Sequence, residues 1–380
     1  MKKIAIVYDW MDKWGGVERM LLILHELFPH AVFYTSFVDY DTAIWAQSLN
    51  PRTSYMQRLP RFILRNRVLS LPFFTYAFES FNLREYDVVI SVSSSFAKGV
   101  VTDHHTKHIS IILTPPRFLW QGEENYKKGG MVGWVLKRRL REWDVVAAER
   151  PDTLLAISKT VANRCKKYYK RDSLVVYPPF DSNYWDKVKS KLLHTGVSKE
   201  LVSDLSGSRF GLVVSRLERY KRIDIAVDAF RDGALSKHYD KLVIVGKGTE
   251  EKRLKIRAGS SKLICFYQSI TDTDLAWLYH SASAHIMPQE EDFGYTSIEA
   301  QFFHCPVVAF SRGGASETVI DGKTGILFDM QTPSSLIEAL ARLASMKYNL
   351  STVNTQAFQN NVAQYDKAQF ATVMKDITNL

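Results

Sequence analysis

The sequence predicts an α/β protein made of two Rossmann-like domains that face each other, each built on a parallel sheet. Three observations support this prediction. Short apolar runs alternate with helical patterns, the alternation stops at a polar stretch, and it then restarts. The length of 380 residues also suits two α/β cores better than one. Two such domains imply a cleft between them, with ligands at the carboxyl ends of the strands.

The first domain is expected to span residues 1–180 and to contain a series of buried strands. These strands are predicted at 4–8, 31–35, 88–92, 109–113, 154–157 and 174–176. Pro178 and Pro179 then end the pattern, because two consecutive prolines neither continue a strand nor enter a helix interior. The polar stretch 181–207 follows and is interpreted as the connector between the domains.

The pattern restarts in a second domain, expected at 208–360. Its strands are predicted at 211–215, 242–245, 263–266, 284–287 and 307–310. Helices are predicted at 223–230 and 333–344 from apolar residues at helical spacing. The tail 361–380 has a helical pattern from 363 onward, and we expect it to pack back on the first domain.

Composition indicates a globular, intracellular protein. Hydrophobic residues make up 46% of the chain, and the three cysteines, Cys165, Cys265 and Cys305, lie far apart, as is usual in a reducing compartment. The chain has no apolar run of about 18 residues, and its charged start does not resemble a signal peptide. The net charge of +10 indicates an anionic substrate or membrane surface, unless it reflects scattered surface lysines. No motif typical of nucleic-acid binding is present.

Two motifs in the second domain have the residue types that a sugar diphosphate requires. Arg216 and Lys221 lie between a strand end and a helix start, where free backbone N–H groups and the helix dipole favour an anion. Glu290, Glu291 and Asp292 follow a later strand and can accept hydrogen bonds from sugar hydroxyls. Each motif also has a purely structural interpretation: a solvated basic helix start, and a capping box formed by Thr296 and Glu299.

A third motif, Gly15-Gly16, joins the first strand to the first helix and would let backbone amides approach an anionic group. It is not the G-x-G-x-x-G fingerprint of nicotinamide-binding proteins, and the chain has no P-loop.

In their order, these motifs resemble the family 4 retaining glycosyltransferases of the GT-B fold. The matching segments are Gly15-Gly16-x-Glu18, Arg216 with Lys221, Glu291 with Glu299, Arg312-Gly313-Gly314-x-x-Glu317 and Gly322-x-Thr-Gly325. Two further segments are similar to a bacterial mannosyltransferase-like branch that uses GDP-mannose in O-antigen and exopolysaccharide assembly. They are Glu290-Glu291-Asp292-Phe293-Gly294 and Thr114-Pro-Pro-Arg117-Phe-Leu-Trp120.

The resemblance implies a set of residue roles. Arg216, Lys221 and Glu291 would be catalytic: the two cations would bind the diphosphate, and Glu291 would hold sugar hydroxyls. Glu299 would bind the ribose. The remaining donor-binding residues implied are Gly15, Gly16, Phe293, Gly294, Tyr295, Thr296, Ser269 and Ile270. The acceptor-side residues implied are Asp9, Trp10 and Arg117.

The resemblance implies no cofactor and no essential metal. Two short Asp-x-Asp pairs, Asp39-x-Asp41 and Asp272-x-Asp274, match the metal-binding pattern of other transferases, but so short a pattern recurs by chance. The chain also departs from its relatives at Leu113, where they commonly have a histidine. His104, His105 and His108 do not occupy that place.

Two segments mix basic and apolar side chains in a way that suits an anionic membrane surface. The first is 56–83, with Arg58, Arg61, Arg65 and Arg67 among Leu59, Phe62, Ile63, Leu64, Leu69, Leu71, Phe73 and Phe74. The second is 134–143, with Lys137, Arg138, Arg139 and Arg141 between Trp134 and Trp143. We therefore expect a cytoplasmic protein on the inner membrane face, with a lipid-linked saccharide as acceptor. Ordinary helices packed on a core remain the alternative.

Four other functions remain open on the sequence. A transferase that uses a UDP-sugar, or a sugar-nucleotide epimerase, would have the same two-domain plan. A catalytically silent, glycosyltransferase-like partner subunit is the alternative from another class. A basic nucleic-acid binder would show steeply salt-dependent binding to any duplex.

Overall fold

The computed structural model describes residues 2–120, 130–192, 196–346 and 355–379, without the side chains of 130–134. The chain divides into two compact units. The first comprises Met1–Pro179 together with Phe370–Leu380, and the second comprises Phe180–Gln369. Both are α/β units, as predicted.

Among the described residues, the first unit forms a seven-stranded sheet in which every neighbouring pair is parallel. Its strands are β1 (Ile4–Tyr8), β2 (Val32–Thr35), β3 (Arg52–Thr53), β4 (Val88–Ser93), β5 (Lys107–Ile112), β6 (Thr153–Ala156) and β7 (Leu174–Val175). The order across the sheet is β3-β2-β1-β4-β5-β6-β7. The direction of winding therefore reverses between β1 and β4, and ligands of such sheets bind at this switch point.

The helices of the first unit cover its sheet. They are α1 (Gly16–Leu27), α2 (Arg61–Arg65), α3 (Arg67–Glu79), α4 (Arg117–Trp120), α5 (Gly130–Glu149) and α6 (Lys159–Tyr169). All five residues of β1 are buried, which explains why this parallel strand reads as an unbroken apolar run. In the adjoining core, the ring of Phe74 stacks on that of Phe96 with 4.9 Å between centroids.

The second unit repeats the strand order of the first. Its strands are β8 (Phe210–Val214), β9 (Lys241–Val245), β10 (Ile264–Tyr267), β11 (Ala284–Met287), β12 (Val307–Phe310) and β13 (Gly325–Phe328). They form the order β10-β9-β8-β11-β12-β13, again parallel throughout. The switch point lies between β8 and β11. The two motifs singled out in this half, 215–224 and 288–299, both begin at the carboxyl ends of these two strands.

The helices described in the second half are α7 (Ser182–Leu192), α8 (Lys199–Leu205), α9 (Ile223–Arg231), α10 (Glu251–Ala258), α11 (Asp272–Ser281), α12 (Tyr295–Phe302), α13 (Ala315–Thr318), α14 (Pro333–Ser345), α15 (Thr355–Ala363) and α16 (Lys367–Thr378). The segment 181–207, expected as a connector, instead contains α7 and α8 and belongs to the second unit. It forms helices there because Trp185 and Val188 give α7 a buried apolar face.

The chain leaves the second unit within α16, whose residues from Phe370 onward belong to the first unit. The ammonium of Lys2 donates to the carbonyl of Thr378 at 2.9 Å, and that of Lys107 donates to the carbonyl of Ile377 at 2.7 Å. These bonds hold the end of α16 within the first unit. Of the helices that the structure describes, none has the length and apolar character needed for a membrane crossing.

Candidate functional site

The loop that follows β8 contains Arg216 and is held by the backbone of the neighbouring loop. A Cβ placed on Gly246 would lie 1.9 Å from the Ser215 carbonyl oxygen, and one on Gly248 would lie 2.2 Å from that of Leu217. Only glycine fits at such distances. The loop after β9 therefore fixes the path of the main chain on both sides of Arg216.

Tyr220 connects the two predicted cations of this loop. The guanidinium of Arg216 donates to the Tyr220 hydroxyl at 2.6 Å, and the ammonium of Lys221 lies 5.1 Å from the centroid of the same ring. Arg216 is exposed, whereas Lys221 is buried at the end of a 3-10 turn. The structure thus groups both cations around one aromatic ring, which the sequence did not indicate.

Lys221 forms an ion pair with Glu291, which follows β11 on the other side of the switch point. The side chains of the pair are only 10% and 17% exposed. Gln289, which is buried, donates its amide to the same Glu291 oxygen at 2.9 Å. Two residues that are 70 positions apart in sequence, and that were assigned separate roles, therefore share one charge-neutral contact.

The acidic loop after β11 is fastened to the loop after β12. The backbone N–H of Gly314 donates to the Glu291 carbonyl at 2.7 Å. A Cβ on Gly314 would lie 2.3 Å from the carbonyl oxygen of Phe293, and Gly313 has a φ of 80° with a similarly close approach to Glu291. The Arg312-Gly313-Gly314 segment therefore acts as a backbone clasp on the acidic loop.

Glu299 lies in α12 and does not form the capping box that its spacing with Thr296 suggested. The helix begins at Tyr295, with Gly294 as its N-cap at a φ of 94° and without a side-chain capping bond. Thr296 consequently lies inside the first turn, where its hydroxyl points to the sulfur of Met287. The carboxylate of Glu299 is buried and accepts a hydrogen bond from the hydroxyl of Tyr279 at 3.0 Å.

The other donor-side residues of the second unit lie around this centre. Phe293 is buried, and its ring packs between those of Tyr295 and Tyr365, at 5.4 Å from each. Ser269 is exposed and Ile270 is half-buried in the loop after β10, two strands away from the switch point.

In the first unit, the Gly15-Gly16 pair lies at the start of α1, where Gly15 is the N-cap and Gly16 the first helical residue, and a buried acid lies beside it. Gly15 is extended, with a φ of 178°, and a Cβ there would lie 3.0 Å from an oxygen of Glu18. The Glu18 carboxyl accepts from the hydroxyl of Tyr8 at 3.0 Å, and burial raises its pKa. A carboxylate in this position repels a phosphate and accepts hydroxyls. The loop therefore suits a sugar better than the anion that the glycine pair suggested.

Asp9, expected on the acceptor side, holds the fold together. Its buried carboxylate accepts four hydrogen bonds, at 2.6–2.8 Å, from the N–H and hydroxyl of Ser94 and the N–H groups of Phe96 and Ala97. Four donors fill the acceptor capacity of a carboxylate. Asp9 thus ties the end of β1 to the turn after β4, and we assign it a structural role.

Trp10 and Arg117 have different surroundings. The half-buried ring of Trp10 lies 4.3 Å from the guanidinium of Arg67, which is also paired with Asp12. Arg117 begins α4 and is half-buried. Trp120, at the other end of α4, donates its indole N–H to Asp144 at 2.7 Å. The residues that follow, 121–129, lie outside the described part of the chain.

The carboxylates of the two Asp-x-Asp pairs serve the fold. Asp39 and Asp41 form ion pairs with Arg65, and Asp41 also pairs with Arg61. Asp274 forms a capping box with Thr271 at the start of α11. Within the described ranges, one group of ligands is spaced for a metal ion: Asp103 with His104 and His105, on a turn of the first unit.

The second unit therefore places Arg216 and Lys221 after β8, and Glu291 and Glu299 after β11, on the two sides of one switch point, with contacts from residues that sequence reasoning missed. These are Gln289, Tyr220 and Tyr279. The arrangement offers two cations to an anionic group and two carboxylates to hydroxyls. The first unit offers Glu18 and the half-buried ring of Trp10 at its own switch point.

Comparison with known proteins supports a glycosyltransferase. A family model described as "Glycosyl transferases group 1" matches residues 203–360. The alpha-1,3/1,6-mannosyltransferase ALG2 of Dictyostelium discoideum is 29% identical over 186 residues, which cover 42% of this chain and 44% of the relative. A D-inositol 3-phosphate glycosyltransferase of Acidothermus cellulolyticus is 32% identical over 54% of this chain and 48% of its own length. The chain thus spans about half the length of the curated relatives it matches.

Solved structures are similar over the whole chain. The Anabaena protein Alr3699/HepE in complex with UDP has a TM-score of 0.72 at 17% identity, with full coverage of both chains. The lipopolysaccharide outer core galactosyltransferase WaaB has a TM-score of 0.63 at 15% identity, over 99% of this chain and 98% of that one. At such identities the likeness establishes the fold.

Proposed function

We propose that the chain is a group 1 glycosyl transferase of the GT-B fold, which moves a mannosyl group from GDP-mannose to a lipid-linked saccharide with retention of configuration. The observation that supports this most strongly is the ion pair of Lys221 with Glu291 across the switch point of the second sheet. Arg216 contacts the same Tyr220 as Lys221 does, and Glu299 lies in the helix that follows Glu291. A site with two cations and two carboxylates is suited to a ligand that combines a diphosphate with several hydroxyls.

The two cations would act on the leaving group. In the reaction, the bond between the anomeric carbon and the diphosphate oxygen breaks, and a bond from the same carbon to the acceptor oxygen forms on the same face of the ring. The proton of the acceptor hydroxyl passes to the departing phosphate oxygen. Negative charge develops on the diphosphate during this step, and fixed cations stabilise it without reorganisation. Arg216 supplies a planar fork for phosphate oxygens, and the buried Lys221 supplies a charge little screened by water.

The carboxylates would hold the donor. Glu291 would accept hydrogen bonds from hydroxyls of the sugar once the diphosphate draws Lys221 toward itself. Glu299, held by Tyr279, would accept from the ribose hydroxyls. Gly294 and Tyr295 lie at the start of α12, where the helix dipole favours a phosphate oxygen.

Substitutions of the charged residues test the mechanism directly. We expect Arg216→Ala, Lys221→Ala and Glu291→Ala each to lower the rate of nucleotide release by about 100-fold or more. Circular dichroism would establish that each variant is folded. Near-wild-type activity in any two of the three would contradict the mechanism.

The donor can be identified by thermal shift with GDP, UDP, ADP, TDP and GDP-mannose, each with and without magnesium. A ligand of the folded state at a hundredfold excess over its Kd stabilises by about 2.7 kcal/mol. The ALG2 relative, named as a mannosyltransferase, favours the mannosyl donor, whereas the complex of the Anabaena structure with UDP favours a UDP-sugar. A metal-independent response to GDP would support the first, and a response to UDP alone would replace it by the second.

Product analysis separates the remaining alternatives. An epimerase would change the nucleotide sugar without any acceptor, whereas a transferase releases nucleoside diphosphate only as sugar is transferred or hydrolysed. Failure of every nucleotide to stabilise the protein would contradict the transferase and favour the silent partner subunit.

The proposed membrane contact is carried by the exposed apolar side chains of α2 and α3. Phe62 is 68% and Val68 is 77% exposed, and Leu69 and Tyr76 are exposed beside them. Other apolar residues of the segment, among them Leu64 and Phe74, are buried in the core of the first unit. In the second segment, Trp143 packs against the same core, and the side chain of Trp134 lies outside the described residues.

Ion pairing reduces the positive charge that this surface offers to lipid. Arg61 and Arg65 are bound to Asp39 and Asp41, and Arg67 is bound to Asp12. We therefore expect apolar insertion to contribute more to membrane binding than charge does.

Vesicle flotation tests this with anionic and zwitterionic liposomes. The variant Phe62→Ser/Val68→Ser should lose vesicle binding, whereas Ile256→Ser, an equally exposed position of the second unit, should not. Equal flotation of the wild type and the Phe62/Val68 variant, or no binding of the wild type to either vesicle, would overturn the membrane proposal.

A further inference from the structure

Tyr365 is a buried residue between α15 and α16, just before the chain leaves the second unit. It is 3% exposed. Its hydroxyl donates to the carbonyl of Glu317 at 2.8 Å, its ring packs against that of Phe293, and its carbonyl accepts from the N–H of Phe180 at 2.7 Å. One side chain therefore contacts both loops that follow β11 and β12.

These two loops carry the proposed donor contacts. Phe293 lies between Glu291 and Glu299, and Glu317 lies in α13, directly after the Gly313-Gly314 clasp. The clasp meets the main chain of Glu291 and Phe293. Tyr365 adds a contact to the ring of Phe293 and a hydrogen bond to the main chain of Glu317, so that the two contacts together hold the segments after β11 and β12 against each other.

Tyr365 is itself held in place by buried polar contacts beneath α12. The side-chain amide of Asn361, in α15, donates to Gln301 of α12 at 2.7 Å and to the carbonyl of Thr318 at 2.9 Å. Gln301 also donates to the Thr318 carbonyl, at 2.7 Å. Helix α15 is thus anchored to α12 and α13 just before Tyr365, and its position relative to both loops is defined.

We propose that Tyr365 is a positioning residue for nucleotide-sugar binding, which sets the placement of Glu291 and Glu299 without touching the donor. The inference rests on the proposed function, because it requires that these carboxylates bind the donor. Loosening either loop would move the carboxylates relative to the cations after β8. Donor affinity would then fall by more than the loss of stability explains, since binding depends on fixed geometry.

The test compares Tyr365→Phe and Tyr365→Leu with the matched variant Tyr239→Phe. Tyr239 is equally buried in the same unit, and its hydroxyl also donates to a backbone carbonyl, that of Leu340, at 3.4 Å. Each phenylalanine variant loses one such hydrogen bond. Only the bond of Tyr365 is made to a segment next to the proposed site, at Glu317. The measurements are the melting temperature and the Kd of GDP and UDP by titration calorimetry, with the KM for GDP-mannose and UDP-sugars alongside.

We expect Tyr365→Phe to lower the melting temperature at least as much as Tyr239→Phe does, because the hydrogen bond that it removes is shorter. Tyr365→Phe should weaken nucleotide binding by about 3- to 10-fold, which corresponds to one hydrogen bond, and raise KM more than it lowers kcat. Tyr365→Leu, which also removes the ring, should weaken binding further, so that the phenylalanine variant counts as a partial rescue. Tyr239→Phe should bind as the wild type does.

An unchanged Kd in Tyr365→Phe, or an equal change in Tyr239→Phe, would overturn the positioning role while leaving the proposed function intact. Absence of nucleotide binding in the wild type would overturn both.

Discussion

The ion pair of Lys221 with Glu291 allows stability and catalysis to be separated in one experiment. The substitutions are Lys221→Met, Glu291→Gln and the two combined. Each single change leaves one largely buried charge, that of Glu291 or that of Lys221, without its counterpart. The double change removes both charges. The double variant should therefore be more stable than the sum of the single effects predicts.

The exposure of the two side chains sets the size of this coupling. Exposed ion pairs contribute roughly 0.2–1 kcal/mol, whereas removing one partner of a fully buried pair costs about 3–5 kcal/mol. At 10% and 17% exposure, the pair lies nearer the buried limit but keeps some contact with water. We expect a coupling free energy of about 2 kcal/mol, or roughly 30-fold in the equilibrium for local opening.

Native-state hydrogen exchange of the full chain measures this coupling, with peptides from β8 and β11 as reporters. The pair Arg253 and Glu250 in the same unit is the control, because its side chains are 51% and 21% exposed and should couple by no more than about 0.5 kcal/mol. The double variant of Lys221 and Glu291 should regain stability and stay inactive. A coupling no larger than the control's would refute the reasoning.

Three further outcomes are expected. Arg216→Ala should change the free energy of unfolding by less than about 0.5 kcal/mol, because the side chain of Arg216 is exposed and donates to the Tyr220 hydroxyl. It should nevertheless lower the rate of nucleotide release by about 100-fold or more, and a large loss of stability would contradict this. Glu299→Gln should retain the hydrogen bond from Tyr279 but weaken nucleotide binding about 10-fold in calorimetry, since a neutral acceptor replaces a charged one. An unchanged Kd would argue against ribose binding by Glu299. Burial lowers the pKa of His285 from 6.5 to about 3, so that between these pH values only the unfolded state binds the extra proton. Stability should therefore fall as the pH drops below 6.5, by up to about 1.4 kcal/mol per pH unit. Hydrogen exchange from β11 should show this slope in the wild type and a flatter one in His285→Gln.

The sheets were largely predictable because strands buried on both faces read as apolar runs. Every strand predicted from the sequence overlaps an observed strand, and the predicted and observed ends differ by at most two residues. The strands that were not predicted are β3, which has only two residues at a sheet edge, and β13, which directly follows a glycine turn. The helices α7 and α8 were interpreted as a connector because their exposed faces are polar and only Trp185, Val188, Leu201 and Leu205 reach the core.

The charged residues of the site could be proposed from motifs, but their partners could not. Tyr279, Gln289 and Tyr365 reach the site through the order of the strands and through the path of α15, which no local pattern encodes. The capping box failed for a local reason. Gly294 adopts a left-handed conformation that starts the helix two residues before the position at which Thr296 would cap it.

The close approach of glycines around the two strand-end loops has a consequence for engineering donor preference. At positions 246, 248, 313 and 314, an added methyl group would meet main-chain atoms, which cannot rotate out of the way as a side chain does. Randomising these positions in a library would mostly yield unfolded clones. Ser269 is exposed and Ile270 half-buried in the loop after β10. Under the proposed donor contacts, new specificity would be sought by varying these two positions over an unaltered glycine frame.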